Sequence, residues 1–133
     1  MPTLTSQQLT SLGDSFLAFA QAVGNFRMEN RSSLSKSENK KIKDLHWELL
    51  EYADMFYTNS AKAVLNDVEN ALKQVRNVTG QINKTYQRLE SFQKAIDIAS
   101  AGISLAAAIF KKDPLAADKA LTELTKNWKS RHL

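Results

Sequence analysis

The chain has 133 residues, 43% of them hydrophobic and 24% charged, with a formal net charge of +4 and no cysteine. That length and apolar content suit one domain with its own core and exclude a disordered chain. The missing cysteines exclude disulfides, thiolate nucleophiles and zinc–sulfur centres, while the mild positive charge suits solubility as readily as an anionic partner.

The first residues, MPTLTSQQLTSLGDSF, carry neither a positive n-region nor an apolar h-region, so no secretory signal is read and a cytoplasmic location is the expectation. Thr5 with Gln8 makes a capping box, and Leu4 with Leu9 has the spacing of a hydrophobic staple. Leu9, Leu12, Phe16, Phe19, Val23 and Phe26 then recur at intervals of three and four, which predicts a first helix over about residues 6–31. Residues 31–35 read as a turn. Ser35 and Glu38 form a second capping box, and Ile42, Leu45, Leu49, Tyr52 and Phe56 give the second helix its stripe. That stripe cannot be continued in phase past Phe56, so a break is predicted at 58–60.

From Val68 one rhythm runs through Leu72, Val75, Ile82, Tyr86, Leu89, Phe92, Ile96 and Ile103 to Phe110, passing Gly80 in register. It predicts a single long third helix, although the stretch RNVTGQINK around Gly80 is poor in helix formers and is the place for a kink. Residues 98–110 are free of charge and rich in Ala, Ser and Gly. At about 100° per residue, Leu89, Phe92, Ile96, Ile103 and Phe110 share one face, and Ile98, Leu105 and Ile109 share a second roughly 120° away. Burying Ile98, Ile103, Leu105, Ile109 and Phe110 is worth about 7–15 kcal/mol, comparable to the net stability of a whole domain. Two apolar faces need two covers. Asp113 as N-cap and Pro114 at the first helical position start a last helix, with Ala117, Leu121, Leu124 and Trp128 as a single stripe.

Catalytic and metal chemistry finds few parts. Neither His46 nor His132 has a Glu three residues before it, as a bundle di-iron site requires. Glu48, Glu51 and Asp54 line up along the second helix and read as a solvated face. The glycines at 13, 24, 80 and 102 are too scattered to cradle a phosphate, and no Gly-x-Ser-x-Gly elbow is present. No enzyme, metal or cofactor is therefore expected. The Asn-x-Ser/Thr triplets at 30, 77 and 83 read as chance matches. The basic turn around Arg27, Arg31, Lys36, Lys40, Lys41 and Lys43 lacks interleaved aromatics, so nucleic acid is not an expected partner.

The expected fold is all-α: an antiparallel helical bundle of four main helices in one domain, 1–133, with a long third helix. A third helix that outruns the first two leaves its second apolar face uncovered. The leading expectation is thus a non-enzymatic interaction protein that forms a homodimer, or binds a protein partner, through Ile98, Gly102, Leu105 and Ile109. The alternative is a membrane-active protein inserting the 98–130 hairpin, which loosely resembles those of helical pore-forming toxins. The uncharged apolar run of thirteen residues, 98–110, is itself short of the ~20 a spanning helix needs.

Overall fold

Both capping boxes start helices in the structure, a computed structural model that describes residues 4–58, 67–89 and 91–129. The Thr5 hydroxyl accepts from the Gln8 amide at 3.1 Å, and the Gln8 side chain accepts from the Thr5 amide at 2.9 Å, opening α1 (Ser6–Glu29). Ser35 and Glu38 repeat the exchange at 3.2 and 2.9 Å to open α2 (Lys36–Tyr57). Each cap contributes about 1 kcal/mol. α1 ends two residues short of the predicted position because Asn30 takes over, its backbone and side-chain N–H groups both donating to the Phe26 carbonyl. The six-residue stripe from Leu9 to Phe26 is buried throughout.

α1 and α2 lie antiparallel, and two glycines set how close they come. A Cβ on Gly13 would stand 2.8 Å from the Tyr57 ring, and one on Gly24 would stand 2.7 Å from the His46 ring. Into the second gap His46 reaches with Nδ1, 2.7 Å from the Ala20 carbonyl, so that nitrogen carries the proton and donates. Tyr57 donates its hydroxyl to Asp14 at 2.6 Å. Partial burial and the Asp14 carboxylate together push its phenol up to about 12.

α2 closes at Tyr57 with Thr58 as its C-cap, where the stripe loses phase. The rest of that predicted turn, Asn59 and Ser60, lies outside the described residues. Downstream the structure corrects the sequence reading. The stretch from Val68 to Phe110, expected as one long helix, carries three: α3 (Val68–Thr79), α4 (Ile82–Gln87) and α5 (Phe92–Phe110).

The first break falls on Gly80 and Gln81: Gly80 keeps right-handed torsions (φ −64°, ψ −22°), and Gln81 drops out of helical geometry. No left-handed turn is involved. The Thr79 hydroxyl donates back to the Val75 carbonyl at 2.8 Å, a bond that bends helices, in a segment already poor in helix formers. The second break precedes Ser91, whose hydroxyl accepts from the Lys94 amide at 3.1 Å and caps α5. These two breaks let α5 turn back beside α1 and α2 instead of running past them. Its C-terminal end meets that of α2, with the Phe110 ring centroid 4.6 Å from Phe56 and 5.8 Å from Tyr52.

From that joint a chain of rings crosses the core. Phe56 meets Phe16 at 5.3 Å, Phe16 meets Phe19 at 6.3 Å, Phe19 meets Tyr86 at 6.5 Å, and Tyr86 meets Phe26 at 5.7 Å. Such pairs add about 0.5–1.5 kcal/mol each beyond the area they bury. Tyr86, on α4, is wholly inside and donates its hydroxyl to the Ala95 carbonyl at 2.8 Å. Burial holds that phenol far above its ordinary range.

The last helix, α6 (Pro114–Lys129), begins as predicted, with the Asp113 side chain accepting from the Ala116 amide at 3.1 Å. Ala117, Leu121 and Leu124 are buried. Trp128 is half-buried and donates its indole N–H to Thr85 at 2.9 Å, while the Thr85 hydroxyl donates onward to the Gln81 carbonyl. The final described turn is thereby tied to α4. The described residues are all-helical, with no strand among them.

Candidate interaction surface

α5 is the most apolar helix of the chain, and the structure covers it on nearly every side. Ile98, Gly102, Leu105 and Ile109, the residues expected to face a partner, are all buried within the chain. Gly102 is the clearest case: a Cβ there would lie 2.5 Å from the ring of Phe19, itself fully buried. The physical reason is the pair of breaks before α5. Because α5 returns along α1 and α2, the cover that a second copy was expected to supply comes from α1. The face of Ile103 and Phe110, expected to be the inner one, is half-buried.

What remains open is the seam between α5 and α6. Their connection is short and fixed. Lys112 takes a left-handed φ of 58° while its amide donates to the Ile109 carbonyl and that of Asp113 donates to Ala108, both at 3.1 Å. These are the two bonds of a Schellman motif, here with Lys where glycine is usual. Asp113 and Pro114 then launch α6 at once, so the two helices lie side by side.

Where they meet, small side chains hold the backbones close and leave a groove of about 290 Å³ lined by Ala101 and Ser104 of α5 and Ala116, Lys119, Ala120 and Glu123 of α6. Beside it stands Leu115, at 78% exposure the most exposed large hydrophobic side chain among the described residues. Leu115, Lys119 and Glu123 follow one another at four-residue spacing, so they form a single ridge along the rim. Sequence reasoning missed this surface because it followed the buried stripe of α6. The available signal was Leu115, an aliphatic residue out of phase with Ala117, Leu121 and Leu124.

No protein-family model, curated protein or solved structure matches this chain.

Two other places could hold a ligand, and both are chemically plain. A cleft of about 500 Å³ between α1 and α3 is lined by Gln7, Gln8, Ser11, Glu69, Leu72, Lys73 and Arg76. Its two cations are exposed, and the Gln8 side chain is engaged in capping α1. On α2, Glu48, Glu51 and Asp54 are exposed, as the solvated-face reading expected. Among the described residues no three His, Cys, Asp or Glu side chains are grouped to hold a metal. Tyr52, beside Glu48 and Glu51, has its phenol raised by burial first and by those two charges second. Trp47 and Met28 are also exposed, at 54% and 61%, but they belong to different helices, α2 and α1.

Proposed function

We propose that this chain is a non-enzymatic helical interaction protein that presents the α5–α6 seam to another helical surface. The observation that carries this reading is Leu115, an exposed aliphatic side chain bordering a groove walled by Ala101, Ser104, Ala116 and Ala120. Small residues along a helix pair admit the close approach of a further helix, and a partner that covers Leu115 gains about 1.5–3 kcal/mol from that side chain alone. The architecture behind the seam is read as a bundle of four main helices, α1, α2, α5 and α6. The segment with α3 and α4 serves as a crossover, and the bundle gives the seam a stiff backing. The carboxylates of α2 support the non-enzymatic part, since they spread along an exposed face and converge on no cavity.

A photoreactive amino acid placed at position 115 in living cells tests the reading. Cross-linked adducts at 115, lost when Ala120 is replaced by Arg to fill the groove, are expected. Adducts that form equally from a control position on the opposite face of the bundle, or none at 115, would refute it.

A membrane-active protein is the second reading, and α5 favours it. Its 19 residues are long and apolar enough to cross a bilayer by length and composition, although more than half of them are buried in the fold. Insertion would have to pull Gly102 away from Phe19 and Phe110 away from Phe56. Flotation with vesicles containing anionic lipid distinguishes the two: protein that stays at the bottom of the gradient removes this second reading.

A further inference from the structure

We propose that the occupant of the α5–α6 seam is a second copy of this chain, docked antiparallel about a two-fold axis. This rests on the interaction reading and adds a register to it. A closed two-fold interface must be self-complementary, because each contact between the copies occurs twice. The seam carries both halves of such a contact. Leu115 is a projecting apolar side chain, and the groove bounded by Ala101, Ser104, Ala116 and Ala120 is a recess lined by small ones. Seating Leu115 of each copy level with Ala120 of the other places the axis between Ala117 and Asp118.

That register has a consequence it was not chosen for. It sets Glu123, on the rim of the groove, level with Lys112 of the other copy and one residue from Lys111. Both lysines are exposed at the tip of the hairpin, where the left-handed Lys112 turns the chain into α6. The symmetric contact therefore has an apolar centre, made of two Leu115 side chains in two recesses, and an acid–base pair at each end. Asp118 lies on the flank of α6 away from the groove, about 160° around the helix from Ala120, so its charge does not face its own copy across the axis. The opposite shift, which would set Lys119 against Glu123, moves Leu115 past the groove and leaves it opposite Asn127.

Sedimentation equilibrium of the full chain at concentrations up to about 0.5 mM tests this, with circular dichroism confirming that each variant keeps its helices. A dimer is expected for the wild type. Leu115→Lys, at a site exposed in the single chain, should weaken it by at least ~100-fold, since two apolar contacts are lost together. Glu123→Lys should weaken it by roughly 10-fold, because symmetry converts two attractions into two repulsions. Adding Lys111→Glu and Lys112→Glu to Glu123→Lys in the same chain should recover the dimer, a result that only this register predicts. A wild-type monomer overturns the proposal, as does a dimer indifferent to Leu115→Lys or a charge reversal that fails to recover association. If the wild type is monomeric while position 115 still cross-links to another protein, the interaction reading stands and the second copy is excluded.

Discussion

Replacing Gly102 by Ala sets two effects of known size against each other. In an exposed helix the change removes backbone freedom from the unfolded chain and stabilises by up to ~1 kcal/mol. Here the new methyl would arrive 2.5 Å from one ring carbon of Phe19 and 2.9 Å from another. Phe19 is completely buried and held between the rings of Phe16 and Tyr86, so it cannot swing aside. Overpacking of this kind costs about 1–3 kcal/mol, and the net expectation is a loss of about 1–2 kcal/mol. In a chain of this length that lowers Tm by roughly 3–8 °C. Urea melts of Gly102→Ala, Phe19→Leu and the double variant would measure it. Shortening the ring should relieve the clash, so the double variant should be more stable than the sum of the singles by at least ~0.5 kcal/mol. A Gly102→Ala protein as stable as the wild type would show that α5 does not lie against Phe19, and the burial of Ile98, Leu105 and Ile109 would fall with it.

Gly80→Ala should behave differently: its Cβ would meet only the Arg76 carbonyl of its own turn, at 2.9 Å, so a urea midpoint within about 1 kcal/mol of wild type is expected. A larger loss would mean that Gly80 is not right-handed. Lys112→Gly should raise stability by about 0.5–1 kcal/mol, since an L-residue at φ 58° is strained and glycine is not; an unchanged melt would contradict the Schellman turn. Trp128→Phe removes the indole donor to Thr85 and should cost about 1 kcal/mol, read in the same way. All three tyrosines have phenols raised above the ordinary value near 10, with Tyr57 at about 12. Because the folded form holds these protons more tightly than the unfolded chain, stability is full below pH ~10 and falls as pH rises beyond it. Urea melts at pH 8 and 11 should show that fall, and Tyr86→Phe should make it smaller; a fall unchanged by Tyr86→Phe would refute the link to its buried phenol.

The helices themselves were legible because their signals are local. A capping box needs only Thr5 and Gln8, or Ser35 and Glu38, and the stripe of α1 is a matter of spacing. The breaks in the Val68–Phe110 stretch were hidden by the same logic. The apolar rhythm continues unbroken through Gly80 and Ser91, because Ile82 and Tyr86 face the core from α4 just as Val75 and Ile96 do from their own helices. Periodicity records which side faces inward and is blind to a change of axis direction that keeps that side inward. The Ser91 cap was the weaker clue, lacking the Glu or Gln three residues on that marks the other two. The error then carried forward to the surface. A straight helix leaves Ile98, Leu105 and Ile109 without cover, whereas a folded one buries them and moves the open seam to Leu115 and its neighbours.

The chain of rings has a consequence for the order in which the protein can be completed during synthesis. Phe16 finds its partner Phe56 within the first two helices, so that contact can form as soon as α2 has emerged. Phe19 and Phe26 both wait for Tyr86, and Phe26 does so across sixty residues of chain. At ordinary rates of translation that interval is roughly 3–12 s. Throughout it the nascent α1–α2 hairpin carries two large aromatic side chains still waiting for Tyr86, which makes this the stage at which a holdase chaperone has most to bind.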